Sequence, residues 1–255
     1  MMKKGLVALV FVVHAANCPA GGWWRPDPGT SWQIQYTGAL KTSLNVKVYN
    51  IDLFETKKSV IASLHAKGKR VICYFSGGSY EDWRPDAKTF PRTVLGKKLD
   101  DWPGERWLDI RQRRALLPIM KARMDLAVKK GCDAVDPDNM DGYANQTGFP
   151  LTSADQIAYN KAIAQAAHGR GLAVGLKNDL GQVKALVGYF DFAVNEQCFQ
   201  YNECERLLPF VQAGKPVFGI EYSLSTKRFC SKANRMNFDF LKKKLSLDVW
   251  RVACR

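Results

Sequence analysis

Eight short apolar runs, each closing in polar residues, recur along the chain: 32–38 (WQIQYTG), 46–52 (VKVYNID), 70–76 (RVICYFS), 132–139 (CDAVDPDN), 172–178 (LAVGLKN), 192–197 (FAVNEQ), 216–223 (PVFGIEYS) and 247–253 (LDVWRVA). All are rich in Val, Ile, Phe or Tyr and have the length of strands. Helical spacing fills most of the intervals. In 56–68 (TKKSVIASLHAKG), Val60, Ile61 and Leu64 share one face and Gly68 is placed to cap the C-terminus. The long segment 111–131 carries Pro118 as a kink or late start, and 153–171 opens with Ser153 and Gln156 at capping-box spacing. Segments 180–190, 204–214 and 234–246 complete the series.

Strands alternating with helices require parallel pairing and right-handed crossovers. Eight such strands in 255 residues predict a single-domain (β/α)8 TIM barrel. A doubly wound open sheet is the alternative, but no GxGxxG or Walker motif follows any strand, and no repeat or long linker divides the chain.

A barrel of this kind collects its chemistry at the C-terminal ends of the strands. Those ends read Asp52, Ser76, Asp136, Asp138, Asn139, Lys177, Asn178, Glu196, Gln197, Glu221 and Tyr222. The fourth run continues as CDAVDPDNMDGY, with four carboxylates: Asp133, Asp136, Asp138 and Asp141. Side chains alternate along a strand, so Asp136 and Asp138 share a face with Ala134, expected to be the inward one. Asp133 and Pro137 then face the helices, and Asp141 falls in the following loop. A calcium loop does not fit, because Met140 occupies the fifth position and Thr147 the twelfth, where Glu is required. His65 and His168 both fall in helical segments, and no CxxC occurs, so neither metal nor cofactor is expected. Two carboxylates facing across a barrel mouth suit glycoside hydrolysis, in which one protonates the leaving oxygen while the other attacks or activates water. Asp138 and Glu196 are the expected pair, with Glu221 as a spare.

The first residues form a separate unit. Lys3 and Lys4 precede an apolar run from Gly5 to Val13, and small residues surround Ala15, Ala16 and Ala20. This predicts a secretory signal peptide over 1–20, since the run is too short to span a bilayer. Its removal takes Cys18 and leaves six cysteines, an even number that suggests disulfides in an oxidising compartment. Cys198 and Cys204 are close enough to close a small loop, and Cys230 and Cys254 flank the last predicted helix. The formal net charge is +14, and loss of Lys3 and Lys4 lowers it by two. Such a balance favours anionic surfaces, including an acidic cell envelope, but the charges are scattered and nucleic acid is not an expected partner. Trp83 and Trp102, in the long connection after the third strand, are candidates for stacking on sugars.

The stretches VICYFSGGSYEDWRPDA, GCDAVDPDNMDGY, GLKND, FAVNEQC and VFGIEY, in this order, resemble glycoside hydrolase family 114, the endo-α-1,4-polygalactosaminidase-like family. The resemblance runs from about Trp32 to Tyr222. It implies a barrel that cleaves α-1,4-linked galactosamine polymers of microbial exopolysaccharide. It also implies catalysis by Asp138 and Glu196 and a pocket containing Tyr74, Lys177 and Asn178. Asp52, Asp136, Asn139, Asp141, Gln197, Glu221 and Tyr222 complete the expected substrate-binding set. Glu196 is read as the acid/base and Asp138 as the nucleophile, a division the sequence leaves open. The fourth run also resembles the D-x-x-D-x-D-x-E pattern of chitinase-like barrels, but Met140 stands where that pattern has its acid Glu. A galactosamine-rich polysaccharide is the expected partner of a secreted, monomeric enzyme. Another amino-sugar polymer, or sugar binding without catalysis, are the alternatives.

Overall fold

A computed structural model describes residues 22–255, so the predicted leader at 1–20 lies outside the described residues. Twelve strands are present among these: β1 Trp32–Gln35, β2 Val48–Asp52, β3 Arg70–Ser76, β4 Ser79–Glu81, β5 Leu95–Lys98, β6 Glu105–Leu108, β7 Ala134–Asp138, β8 Ala173–Lys177, β9 Phe192–Glu196, β10 Val217–Glu221, β11 Asp239–Lys242 and β12 Val252–Ala253. The α-helices are α1 Lys58–Ala66, α2 Arg113–Lys130, α3 Ser153–His168, α4 Val183–Leu186, α5 Leu208–Gln212 and α6 Thr226–Arg235.

Eight strands pair in parallel in the order β1-β2-β3-β7-β8-β9-β10-β11, as a single-domain TIM barrel requires. Alternation along each strand divides the apolar residues into two sets. One set fills the barrel: Trp32, Ile34, Val48, Ile72, Ala134, Ala173, Phe192, Val194, Phe218, Ile220 and Leu241, with at least one residue from every parallel strand. The other set, including Tyr49, Val71, Val135, Val174, Ala193 and Val217, packs outward against the helices. Gly175 faces inward, where a Cβ would lie 2.4 Å from the Phe192 ring, so the missing side chain is what admits that phenylalanine.

The eighth strand is not where the sequence pattern put it. The segment 234–246 is not a helix; it ends α6 and then forms β11, whose Phe240 and Leu241 point to opposite sides of the wall. The segment 247–253 contributes only β12, antiparallel to β11. This C-terminal stretch closes the barrel seam between β11 and β1. Tyr36 N–H donates to the Leu247 carbonyl at 2.9 Å and Gln33 Nε2 to that of Val249 at 3.2 Å, while Trp32 Nε1 reaches the Asp239 carbonyl at 2.8 Å.

Helix α3 is capped by Thr152 and Asp155, each side chain bonding the other's backbone N–H, one residue earlier than the spacing suggested. Pro118 lies inside α2, which runs on to a left-handed Gly131. Three disulfides join Cys73 to Cys132, Cys198 to Cys204, and Cys230 to Cys254. Cys230 lies within α6, not beside it. A small antiparallel sheet, β4-β6-β5, interrupts the connection from β3 to α2 and stands over the C-terminal ends of the barrel strands.

Candidate active site

The C-terminal ends of the strands open into a cleft of about 890 Å³, walled on one side by the β4-β6-β5 sheet and on the other by Leu245 and Leu247. Three strands end alike. Asp138 closes β7, Lys177 closes β8 and Glu196 closes β9, and each is followed by a residue in the left-handed region: Asn139 (φ 59°), Asn178 (φ 49°) and Gln197 (φ 64°). That conformation turns the chain out of the sheet at once, so the last strand residue keeps its inward direction and stands at the mouth. Asparagine tolerates it best among residues with a side chain.

Lys177 is the centre of the site. It is 2% exposed, and its Nζ lies 3.2 Å from Asp138 Oδ1 and 3.5 Å from Glu196 Oε2. Burial alone would lower its pKa, but Asp138, Glu196 and Asp136 together push it well above the ordinary lysine value, so the ammonium is permanent. Asp138 accepts three hydrogen bonds or ion pairs. Tyr74 Oη donates to Oδ2 at 3.0 Å, and the Asn139 N–H donates to Oδ1 at 2.8 Å, where Lys177 also arrives. Glu196 is held more loosely: Tyr222 Oη donates to Oε1, and Asn178 Nδ2 reaches Oε2 at 3.4 Å. The Asn178 side-chain oxygen Oδ1 accepts the backbone N–H of Glu196 at 2.9 Å. Burial, then neighbouring carboxylates, raise the pKa values of Tyr74 and Tyr222, so both stay protonated and donate.

Beneath this layer lies Asp136, fully buried. Its Oδ2 accepts Asn50 Nδ2 at 2.8 Å and Tyr36 Oη at 3.3 Å, and its Oδ1 has no partner. Burial pushes its pKa up to about 6, with repulsion from Asp138 and Glu196 adding to it and Lys177 and Asn50 opposing. Asp141 lines the cleft and is raised to about 6 by burial and by Asp138.

The expected substrate-binding residues therefore divide. Tyr74, Asn139, Asp141, Lys177, Asn178 and Tyr222 line the cleft with Asp138 and Glu196. Asp52 also lines it, but its carboxylate is occupied by Arg84, at 2.7 Å, and by the N–H groups of Phe54 and Glu55. Asp136 is the floor and does not line the cleft. Two expectations are corrected. Glu221 is fully buried outside the cleft, where Oε1 accepts the N–H groups of Phe199 (2.9 Å) and Gln200 (3.3 Å) and so holds the loop after β9. Gln197 points away and donates to Gln200 Oε1 at 3.1 Å.

Several lining residues had no place in the sequence reading. Tyr36 follows β1 and packs its ring, tilted by 33°, against Tyr74, with ring centroids 4.3 Å apart. Glu81 and Glu105 face each other in the β4–β6 pairing. Ser79 Oγ donates to Glu105 at 2.6 Å, and Asn139 Nδ2 donates to the hydroxyls of Ser76 and Ser79, linking the small sheet to the residue after Asp138. Burial, with Glu81 and Asp138 nearby, raises Glu105 to about 7. The alternation in Ser79-Tyr80-Glu81 and Glu105-Arg106-Trp107-Leu108 was the available signal for these strands. Met140, at the chitinase-like acid position, is fully buried and cannot serve as that acid.

The sequence profile of glycoside-hydrolase family GH114 matches residues 14–255. Among solved structures, Ega3 of Aspergillus fumigatus, in complex with galactosamine, is 45% identical with a TM-score of 0.87, covering 92% of this chain and 98% of that one. The glycoside hydrolase domain of PelA from Pseudomonas aeruginosa shares the fold at 14% identity, with a TM-score of 0.68 over 88% of this chain and 98% of that one. An uncharacterised protein of Deinococcus radiodurans is 26% identical over 238 residues, 80% of this chain and 76% of the relative. With nearly its whole length matched, the chain belongs to glycoside-hydrolase family GH114 and is a glycoside hydrolase.

Proposed function

We propose that the protein is an exported, endo-acting hydrolase of α-1,4-linked galactosamine polymers, with Asp138 as nucleophile and Glu196 as acid/base. The observation that carries this reading is the charge of the cleft. Eight of its lining residues are Asp or Glu and only four are Lys or Arg, in a chain with 24 acidic and 38 basic residues. A third of all the carboxylates converge on one groove, which suits a chain of protonated amino sugars. The galactosamine in the Ega3 structure, at 45% identity, supports the same sugar. Three disulfides support an oxidising destination.

Asp138, oriented by its three donors, attacks the anomeric carbon, and Glu196 gives its proton to the departing glycosidic oxygen. The Asp138–C1 bond forms as the C1–oxygen bond breaks, and the shortened chain leaves with the proton. Glu196, now a carboxylate stabilised by Lys177 and Tyr222, takes a proton from water. The water oxygen attacks C1 and frees Asp138. One ammonium touches both carboxylates, so the facing oxygens can be no farther apart than the sum of 3.2 and 3.5 Å. An ammonium shared by both carboxylates supports the short separation of retaining enzymes, roughly 5–5.5 Å between carboxyl groups, over the roughly 6.5–9.5 Å of inverting ones.

Asp138→Asn and Glu196→Gln should each reduce reducing-end release from de-acetylated α-1,4-galactosamine polymer at least about 100-fold. Wild-type rates in either variant sink the assignment. Proton NMR of the first product formed should show the α anomer, and an initial β anomer excludes the nucleophilic role of Asp138.

A further inference from the structure

Trp83 and Trp102 are 50% and 49% exposed, and both line the same cleft as Asp138 and Glu196. Large aromatic rings left half in water at the wall of a groove are not core residues. Their seating is specific. Trp83 follows β4, and Trp102 lies in the turn between β5 and β6. The two segments are tied together, since Asp82 N–H donates to the Gly104 carbonyl and Glu105 N–H to that of Trp102, each at 3.1 Å. Gly104 has φ 91°, and a Cβ there would lie 2.9 Å from the Trp83 ring and 2.7 Å from Asp82 Oδ1. The backbone conformation and the close approach of Asp82 and Trp83 together require glycine in the turn that carries Trp102.

Below the two rings the small sheet is fixed by buried ion pairs. Arg84 joins Asp52 at 2.7 Å and Glu81 at 2.8 Å. The ion pairs hold the segment that carries Trp83 in place, and both rings keep about half their surface in water. Asp100 lies on the same wall.

We propose that Trp83 and Trp102 form a sugar-binding platform that takes a ring of the polymer away from the scissile bond and prefers rings bearing a protonated amine. The apolar face of a pyranose covers an indole, and an ammonium is attracted to the same ring's electron-rich face. The occupant follows from continuity: the platform and the carboxylates share one groove, so a chain threaded past Asp138 has to cross the rim. This inference rests on the substrate reading above and adds the residues that grip the chain outside the reacting centre.

Trp83→Ala and Trp102→Ala test it, each with its Phe counterpart. Exposed positions leave the fold intact, and this is checked by thermal unfolding. On long de-acetylated galactosamine polymer, the Ala variants should lose on the order of 10-fold in kcat/KM, chiefly through KM. On the shortest oligosaccharide the wild type cleaves, their rates should be unchanged, and the Phe variants should recover most of the loss. A loss equal on both substrates, or on neither, overturns the platform. Calorimetry on the Asp138→Asn protein provides a second, independent arm. De-acetylated polymer should bind more weakly when either tryptophan is Ala, and N-acetylated polymer should show a smaller difference. Equal binding by the parent and the Ala proteins overturns the platform whatever the rates. Failure of the wild type to cleave the polymer, with that binding difference present, overturns only the hydrolytic reading.

Discussion

Asp136 shows what the site demands of a single residue. It is fully buried, one oxygen has no partner, and its folded pKa of about 6 stands above the ordinary 3.8. Between those values the folded protein holds a proton that the unfolded chain has released. Stability from this group is therefore present below the unfolded pKa and is lost as pH rises through the window from 3.8 to about 6. A displacement of that size corresponds to roughly 3 kcal/mol. Asp136→Asn should remove this dependence, so urea unfolding should show the variant gaining roughly 2.4 kcal/mol on the wild type from about pH 4 to about pH 7, the rest of the effect being present already at the lower pH, where the unfolded carboxyl is about half ionised. A constant difference at both pH values excludes a proton on Asp136. The same scale shows what was legible in the sequence. Asp138, Lys177 and Glu196 stood out because each ends an apolar run. Glu221 also ends one, but Ile220 is the inward residue of β10, so Glu221 faces out and Tyr222 faces in to meet Glu196. Carrying the inward parity of Trp32 and Ile34 two residues on would have found Tyr36. Glu105 was missed for another reason: its short alternating strand belongs to a small sheet inside a segment read as loop.

At the scale of elements, seven of the eight barrel strands were legible, and the eighth shows why the last was not. In NFDFLKKKLS, Phe238, Phe240, Leu241 and Leu245 satisfy a helical spacing as well as they suggest a strand. Local pattern cannot choose between them; the empty place beside β10 does, because only a strand can continue the ladder. The final segment then folds back along β11 and is anchored by the Cys230–Cys254 disulfide, which spans 24 residues and ties it to α6. In the chain-entropy account a loop of that length contributes about 3 kcal/mol. Replacing both cysteines by serine should lower unfolding stability by about that amount, read from denaturant midpoints at unchanged slope. The Leu247 contact to Tyr36 should loosen with it, so amide exchange at Tyr36 and Thr37 should accelerate more than exchange in β7 or β8. Equal protection across those strands would show that the seam holds without the tether.

At the scale of the whole molecule, two fields oppose each other. The chain carries +14, while the cleft holds eight carboxylates against four cations. A polycation approaching from afar meets the net charge first, and only within a few ångströms does it meet the groove. Screening separates the two effects because they act over different lengths. The Debye length is about 30 Å at 0.01 M salt and about 8 Å at 0.15 M. Raising the salt across that interval should therefore weaken long-range repulsion by the shell much more than it weakens contacts inside a partly enclosed cleft. For de-acetylated galactosamine polymer, kcat/KM should rise several-fold from ~0.01 to ~0.15 M salt, through faster association. A largely N-acetylated chain that is still cleaved should respond weakly, because it lacks the charge to be repelled. A steady fall across the interval for the de-acetylated polymer would mean that the acidic groove governs the approach even at a distance, and that the basic exterior has no influence on the encounter.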